Sequence, residues 1–466
     1  MKNKVVVNRV DEESPDAEVP EGWVAATMEE IGDLYCGQSP ATGFVNTTGL
    51  GTPYMTGPDQ WNGSELHVDK WTTDPRRTVP DGCIFVTVKG AGVGTIFPGV
   101  RGAIGRDIYA FKPAVEVHDS FIRRALEFTV SEIKRNAAGD IPGLSKDHLL
   151  KHSVNVPPPE EQKRIIAAID NLFVLSKSAR DHLSRVPTIL KRFRQAVLAA
   201  ACSGRLTEDW RKAKQLETDD WTQASLEDVA DLRLGKMLDQ RKNVGSPTLY
   251  IRNVNVRWFS FDLDSLLNMR ATKRDQVDLS IMDGDLLLCE GGEPGRCAVW
   301  NLGANELIFQ KAIHRIRLKP EISPHWVAFN LKNDADSGIL EEYFTGSGIR
   351  HLTGRSLATY SLSVPHIDEQ NEIVSRVEAL FALAGDIQKR VDVASQKVDH
   401  LAQAILAKAF RGELVATEAE MARREGREYE PASVLLERIN KQREKAPPKR
   451  QSRSKRSKMA KSEIAD

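Results

Sequence analysis

The stretch VNVPPPEEQKRIIAAIDNLFVL, which begins at Val154, decides how this chain is organised. A second stretch, LSVPHIDEQNEIVSRVEALFAL, begins at Leu362 and matches the first at a constant offset of 208 residues. From 154 to 206 this offset gives 15 identical pairs in 53 positions without a gap. Agreement of this extent at one offset indicates an internal repeat, so we expect two copies of one structural unit.

Each copy continues as a long heptad helix, because ten of eleven seam positions are apolar and alternate in steps of four and three. The seam positions are Ile165, Ile169, Leu172, Ser176, Ala179, Leu183, Val186, Leu190, Phe193, Val197 and Ala200 in the first copy, and Ile373, Val377, Leu380, Ala384, Ile387, Val391, Ala394, Val398, Leu401, Ile405 and Lys408 in the second. Gly204 and Gly412 mark the ends. A helix over 160–203 is about 65 Å long. Pro187 predicts a kink or a break in it.

The segments before the helices match more loosely. WVAATMEEIGDLYCG from Trp23 resembles WTQASLEDVADLRLG from Trp221, an offset of 198. GAIGRDIYAFKP ending at Pro113 resembles KAIHRIRLKP ending at Pro320, an offset of 207. Short β-rich runs between turn residues predict a mixed α/β domain before each helix. The expected fold is α+β, with two such domains separated by two long helices that form an antiparallel coiled coil, and with a pseudo-twofold internal repeat.

Composition fits a globular protein of several domains. The 466 residues are 41% apolar and 28% charged with zero net charge, and no apolar run of about 18 residues predicts a membrane span. The first residues lack a sustained apolar core, so we expect no signal peptide. Five scattered cysteines favour a reducing cytoplasm. Ten Lys or Arg against one acid between Lys441 and Lys461 predict a solvated basic tail.

Several motifs occur twice and together carry a family resemblance. They are the proline–EQ helix starts at Pro157–Gln162 and Pro365–Gln370, and the helix ends QAVLAAACSGRLTEDW (195–210) and QAILAKAFRGELV (403–415). With these motifs and LYIRNVNV at 249–256, nearly the whole chain resembles the specificity subunits of type I restriction-modification systems. The resemblance implies two target-recognition domains, each of which reads half of a split site in double-stranded DNA, with the coiled coil setting their spacing. It also implies two modification subunits that carry S-adenosylmethionine, and restriction subunits that join this core.

The domain boundaries follow from the repeat and the resemblance. We expect an N-terminal tail at 1–19, target-recognition domain 1 at 20–157, conserved spacer helix 1 at 158–218, target-recognition domain 2 at 219–365, conserved spacer helix 2 at 366–416, and a C-terminal helix and basic tail at 417–466.

Positive side chains are the candidates for DNA contacts, because arginine can clamp guanine through O6 and N7. The candidates are Arg252, Lys311, Arg315, Arg317 and Arg350 in the second domain and, with a weaker signal, Lys89, Arg101 and Arg106 in the first. Lys311, Arg315 and Arg317 fall on one face of a strand pattern. Arg350 lies at the tip of a glycine-containing loop. A solvated sheet face and a simple connection from domain to helix are the alternative interpretations.

Each domain has a net charge of −3, with 13 basic and 16 acidic residues in 20–156 and 17 and 20 in 219–365. Because DNA binders usually present a basic face, we expect partner subunits to supply part of the phosphate-binding charge. The matching polar residues Glu161, Gln162, Glu369 and Gln370 at the two helix starts are the candidates for partner contacts.

The sequence contains no complete catalytic motif. An enzyme that methylates a flipped adenine needs Asn or Asp followed by two prolines and an aromatic residue, and no such run occurs. We therefore expect no catalytic residue, no metal site and no cofactor bound by this chain. Two other hypotheses remain open, namely a structural coiled-coil adaptor without a DNA role and part of a fused restriction–methylation enzyme.

Overall fold

The structure is a computed structural model that describes residues 19–90, 92–136, 143–216, 221–239, 241–303 and 306–445. Nearly all of the expected N-terminal tail and the basic run beyond Lys445 lie outside the described residues. Internal contacts divide the chain into two units, one formed by Met1–Arg180 with Gln396–Asp466 and the other by Asp181–Ser395. Each unit contains one of the two expected α/β domains.

The first domain consists of short strands and three helices. In chain order they are β1 (Val24–Thr27), α1 (Met28–Ile31), β2 (Gly32–Cys36), β3 (Val45–Asn46), β4 (Thr52–Met55), β5 (Trp71–Thr72), β6 (Thr78–Val79), β7 (Ile84–Thr87), β8 (Ile96–Pro98), β9 (Gly102–Ile104), β10 (Ile108–Pro113), α2 (Asp119–Asn136), α3 (Lys146–Leu150) and β11 (Ser153–Val156). One sheet has the order β2-β10-β7-β8 and another the order β3-β5-β4-β9-β6, while β1 pairs with β11. Strands β4 and β9 are parallel, so the loops that follow them leave the sheet at the same edge.

The second domain repeats this plan after the helices α4 (Pro159–Cys202) and α5 (Glu208–Lys214). Its elements are β12 (Thr222–Ser225), α6 (Leu226–Val229), β13 (Ala230–Leu234), β14 (Ser246–Ile251), β15 (Val256–Arg257), β16 (Ser260–Phe261), β17 (Leu267–Ala271), α7 (Lys273–Asp278), β18 (Leu286–Cys289), β19 (Cys297–Val299), β20 (Ile308–Phe309), β21 (Ile313–Leu318), α8 (Pro324–Ser337), α9 (Gly354–Ala358) and β22 (Ser361–Val364). The order β13-β21-β18-β19 matches the first four-stranded sheet strand for strand. Strands β14 and β20 are parallel, as β4 and β9 are, and the expected repeat is confirmed.

Backbone hydrogen bonds correct the alignment of one repeated strand. The amide of Gly37 donates to the carbonyl of Ile108 at 3.0 Å, and that of Gly235 donates to the carbonyl of Ile313 at 3.1 Å. Ile108 is therefore equivalent to Ile313, an offset of 205, and Pro113 matches Leu318 rather than Pro320. The sequence match was two residues out of register. Because side chains in a strand alternate between the two faces with a period of two, a shift of two residues still assigns each residue to the correct face.

Both faces of each four-stranded sheet are buried. In the second domain Leu288 and Ile316 belong to one hydrophobic cluster, whereas Leu287 and Ile313 on the other face belong to another. In the first domain Ile84 and Phe85 divide in the same way between two clusters. Runs such as LLLC and IFVT are apolar at every position because neither side of these strands faces water.

The two heptad segments form helices of 44 residues each, α4 and α10 (Ile367–Phe410). All eleven seam positions of α4 are at least partly buried, whereas three positions of α10 are exposed, namely Ile387, Leu401 and Lys408. Helix α4 runs unbroken through Pro187, so a break at this residue is excluded. In the first unit Arg180 pairs with Asp399 at 3.0 Å and Arg164 with Glu418 at 2.7 Å, which gives the expected antiparallel direction.

The C-terminal helices α11 (Glu418–Glu425) and α12 (Ala432–Lys445) belong to the first unit. Leu435 and Ile439 of α12 are buried in the main core cluster of the first domain, and Arg443 donates to the carbonyl of Gly32 at 2.5 Å. The segment after residue 416 is thus packed into the first domain rather than standing apart from it. None of the helices within the described ranges is long and apolar enough to cross a membrane.

Candidate nucleic-acid interface

Several loops of the second domain meet at one end of its sheets, which we call the loop edge. The loops are 252–255, 290–296, 310–312 and 345–351, together with the first residues of loop 235–245, which runs on to the start of β14 at the opposite end of that strand and whose residue 240 is outside the described part. They meet there because β13, β14, β18 and β20 all end at this edge, while β21 begins there. The opposite end of β21 lies towards α10, where the amide of Ser323 donates to Gln370 at 2.7 Å. The loop edge is therefore the end of the domain away from the start of that helix.

Hydrogen bonds join the loops of this edge. The amide of Lys311 donates to the carbonyl of Lys236 at 2.8 Å, which joins loops 310–312 and 235–245. The side-chain amide of Asn253 donates to the carbonyl of Gly291 at 2.8 Å. The amide of Leu352 donates to the carbonyl of Glu290, also at 2.8 Å, so loop 345–351 is held against loop 290–296.

The loop edge brings together three of the five candidates of the second domain. Lys311 is exposed, and its side chain makes no hydrogen bond or ion pair with the residues that the structure describes. Arg350 is exposed and pairs with Glu341 at 2.5 Å. Arg252 is half-buried and donates to the carbonyl of Ser265 at 2.6 Å, so part of its bonding capacity supports the neighbouring turn.

The other two candidates lie further along β21, away from the loop edge. Arg315 is 5% exposed and donates to the carbonyl of Ser280 at 2.6 Å. Arg317 donates two hydrogen bonds to Asp285, at 2.7 and 2.8 Å, and this pairing raises the pKa of Arg317. The interpretation of Arg315 as a DNA contact is corrected, because a hydrophobic cluster covers the sheet face that carries it. The side chain of Arg317 is 36% exposed, so a DNA contact by Arg317 stays a prediction.

The first domain has an equivalent loop edge, where β2, β4, β7 and β9 end. The amide of Gly105 donates to Met55 at 2.8 Å, as that of Gln310 donates to Ile251 at 3.1 Å. The residue that follows is Arg106 in the first domain and Lys311 in the second. Both domains therefore present an exposed cation at the same position of the same turn.

Lys89 and Arg101 lie at opposite ends of the first domain. Lys89 is exposed directly after Val88, whose amide donates to Asp107 at 2.8 Å, so it shares the loop edge with Arg106. The amide of Arg101 instead donates to Asp81 at 2.9 Å, next to the start of β7. Arg101 is thus separated from the other two candidates of this domain.

The residues expected to contact partner subunits are interior residues of the first helix start. Glu161 and Gln162 are both 0% exposed. Glu161 accepts from the indole of Trp23 at 2.8 Å and from the amide of Glu418 at 2.7 Å. Burial raises the pKa of Glu161. Gln162 accepts from the amide of His118 at 2.8 Å and donates to the carbonyl of Pro157 at 2.9 Å, so its buried side chain bonds within the protein.

The second helix start repeats this arrangement. Glu369 accepts from Trp221 at 3.0 Å, from Thr207 at 2.8 Å and from Arg211 at 2.5 Å, and Gln370 is fully buried. The interpretation of these four residues as partner contacts is therefore corrected, because their side chains hold each domain to its helix and offer no surface to a partner. The repeat itself carried a signal for these pairs, because both copies have a tryptophan at the start of the domain (Trp23 and Trp221) and a glutamate at the helix start (Glu161 and Glu369).

The sequence analysis did not identify four exposed residues of loop 235–245 as candidates. Met237, Leu238, Arg241 and Lys242 lie in the loop between Gly235 and Gly245. The sequence contains a signal that could have identified them. Between two glycines, an apolar pair is followed by DQRK, and the segment has neither strand nor helix periodicity. In the described ranges, no group of three or more His, Cys, Asp or Glu side chains could hold a metal ion.

Comparison with known proteins gives a consistent class. A family model described as the type I restriction modification DNA specificity domain matches twice, over residues 20–182 and 218–392. The EcoKI specificity subunit of Escherichia coli (strain K12) is 32% identical over 305 residues, which cover 62% of this chain and 65% of that protein. The EcoBI specificity subunit of Escherichia coli is 30% identical over 353 residues, which cover 68% and 73%. The chain thus matches slightly less than two thirds of the EcoKI subunit.

A solved structure shares the fold. The HsdS subunit from Thermoanaerobacter tengcongensis superposes with a TM-score of 0.60 at 16% identity, over 86% of this chain and 99% of that one. At this identity the likeness shows the fold alone, whereas the two matches of the family model give the class of the protein, a specificity subunit. The chain belongs to the family of type I restriction-modification specificity subunits, and its two specificity domains are consistent with a split target.

Proposed function

We propose that this chain is the non-catalytic DNA-reading subunit of a type I restriction-modification complex in the cytoplasm. Each loop edge reads one half of a split target in double-stranded DNA, and the paired helices set the distance between the halves. The observation that carries this proposal is the exposed cation at the equivalent position of both loop edges, Arg106 and Lys311, in a family whose domain model occurs twice. A purely structural adaptor would not need such a position in both copies.

The partners follow from the same proposal. Two modification subunits bind the chain and bring S-adenosylmethionine, and restriction subunits join them. The net charge of −3 in each domain supports this division of labour, because the partners then supply part of the charge that binds phosphates. The proposed stoichiometry predicts one specificity subunit with two modification subunits by native mass measurement.

Methylation mapping tests the proposal. We expect one bipartite methylated motif in cells that carry the gene and its loss after deletion of this gene alone. A motif that persists after the deletion would contradict the proposal. The purified chain without partners is expected to transfer no methyl group from S-adenosylmethionine to DNA.

A matched pair of variants tests which domain reads which half-site. Arg106→Ala should weaken recognition through the first domain alone, and Lys311→Ala through the second alone. If each removes one phosphate contact, the slope of log affinity against log salt falls by about one in each variant. Equal effects of both variants on the same half-site would contradict the assignment of one half-site to each domain.

A further inference from the structure

Two consecutive large apolar residues are exposed at the loop edge of the second domain. Met237 is 56% exposed and Leu238 is 51% exposed. Single exposed apolar residues are common on protein surfaces and require no explanation. This pair differs because it lies among cations, since the loop from Gly235 to Gly245 contains three basic residues and only one acid.

Hydrogen bonds connect the described residues of this loop on the two sides of residue 240. Asp239 accepts from the amides of Arg241 at 3.0 Å and Lys242 at 3.2 Å. The side-chain amide of Asn243 donates to the carbonyl of Met237 at 3.0 Å. These hydrogen bonds restrain the loop on both sides of the apolar pair, and such restraint lowers the entropy cost of a contact made through the pair.

The base of the loop is anchored to the domain. The ammonium of Lys236 donates to Asp275 at 2.9 Å. Burial alone would raise the pKa of Asp275, but hydrogen bonds from Thr272 and from Lys236 outweigh burial and lower it to about 2. Asp275 is thus charged at neutral pH and fixes the residue that precedes the pair, next to the exposed Lys311.

We propose that Met237 and Leu238 contact thymine methyl groups in the half-site that the second domain reads, while Arg241, Lys242 and Lys311 hold the flanking phosphates. This inference rests on the proposed function. The thymine methyl is the apolar group that the major groove presents, and the phosphates beside the groove match the three cations. An exposed apolar pair with cations in the same loop and in the adjacent turn therefore fits a duplex.

The first domain offers a natural contrast. Because Gly37 is equivalent to Gly235, the positions of Met237 and Leu238 are taken by Ser39 and Pro40. Ser39 accepts from the amide of Arg106 at 3.2 Å, and Pro40 is buried. The first domain thus has no apolar pair at this position, and the proposed contact concerns the second half-site alone.

Replacement of thymine by uracil tests the contact, because it removes the methyl group and leaves base pairing unchanged. The complex of this chain with its modification subunits is titrated with duplexes that carry the mapped target, with thymine or uracil in the second half-site. We expect the wild-type complex to bind the uracil duplex about three- to tenfold more weakly for each contacted methyl. The variant M237S/L238S should bind both duplexes equally. Uracil in the first half-site should not change the DNA affinity of the wild-type or the variant complex.

Leu302→Ser is the matched control, because Leu302 is 56% exposed at the opposite end of the same domain. It should keep the full preference for thymine. A wild-type complex that does not distinguish the duplexes, or a double variant that still does, overturns the contact. Loss of modification subunits from the double variant by native mass measurement also overturns it and makes the pair a protein-docking site. Failure of the proposed function would look different, since the wild-type complex would then bind no specific target.

Discussion

At the scale of single residues, the buried glutamates Glu161 and Glu369 occupy equivalent positions at the two helix starts, but only Glu369 has a buried cation as a hydrogen-bond donor. Glu369 has a buried arginine beside it, since Arg211 is only 5% exposed. Glu161 accepts from two neutral donors, the indole of Trp23 and the amide of Glu418. Replacement of each glutamate by the neutral glutamine should therefore reduce stability by different amounts.

We predict that Glu369→Gln destabilises the second unit more than Glu161→Gln destabilises the first. Glu369→Gln leaves the guanidinium of Arg211 buried without its carboxylate, which costs about 3–5 kcal/mol. Glu161→Gln places an amide group against an N–H donor and costs about 1–3 kcal/mol. Hydrogen exchange in the two helix starts measures each loss separately. Equal losses of protection would show that Arg211 does not depend on Glu369.

Arg317 and Lys311 are close in sequence but should respond in opposite ways to replacement. Arg317→Ala leaves Asp285, whose side chain is 1% exposed, without its ion pair, while the amide of Met282 still donates to it, so we expect a loss of about 1–3 kcal/mol in stability. Lys311→Ala removes an exposed side chain and should change stability by less than about 0.5 kcal/mol while weakening DNA binding. Thermal unfolding and DNA titration of both variants test this contrast. A stable Arg317→Ala protein with weakened DNA binding would contradict a structural role and support Arg317 as a DNA contact.

The two outcomes for strand β21 show how far sequence reasoning reaches at this scale. Alternation placed Lys311, Arg315 and Arg317 on one face, as a strand must. It could not show that this face is covered, because the covering residues come from elements such as β14, far away in the chain. Glu161 and Glu369 were recognised as repeated, but their indole donors lie 138 and 148 residues away. Exposure and hydrogen-bond partners depend on such distant contacts.

At the scale of elements, the helices were the most predictable part. Heptad spacing gave α4 to within a residue at each end, because apolar periodicity, a proline start and a glycine end agree. The exposed seam positions Ile387 and Leu401 of α10 were not foreseen, since periodicity cannot show which seam positions other residues cover. The position of α12 was also missed, because its core contacts lie some 400 residues earlier in the chain.

Pro187 lies inside α4 at an exposed position, so its cost to the helix should be measurable. Its ring removes one backbone donor, and we predict that Pro187→Ala stabilises the protein by about 1–3 kcal/mol. The neighbouring exposed residue provides a control, because Thr188→Ala should change stability by less than about 0.5 kcal/mol. Chemical denaturation measures both. A destabilised Pro187→Ala variant would show that the helix pairing requires the proline.

Helix α12 completes the core of the first domain, so its removal should act on that domain alone. We predict that a chain ending at residue 416 loses hydrogen-exchange protection in the first domain and keeps it in residues 221–365. A chain ending at Lys445 lacks only the basic tail and should keep both domains protected. Milder variants, Leu435→Ala and Ile439→Ala, should each cost the first unit about 2–5 kcal/mol. Full protection of the first domain without α12 would contradict its role in that core.

At the scale of the whole molecule, the central question is whether helix length fixes the gap between the two half-sites. An insertion of four residues after Ala179 lengthens α4 by about 6 Å at 1.5 Å per residue. Four residues are close to one helical turn, so the apolar seam nearly keeps its phase. On a duplex with roughly 3.4 Å per base pair, the added length approaches two base pairs. If the helices act as a spacer, we predict a gap longer by one or two base pairs with both half-sites unchanged.

Methylation mapping of the insertion variant distinguishes a spacer from a simple fold support. The same four residues inserted after Leu302, in a surface turn of the second domain, provide the control and should leave the gap unchanged. An active complex with an unaltered gap would show that helix length does not set the spacing. Altered half-site sequences would show instead that the insertion reaches the loop edges. Only a longer gap between the original half-sites supports the spacer, because only the distance between two intact reading surfaces has then changed.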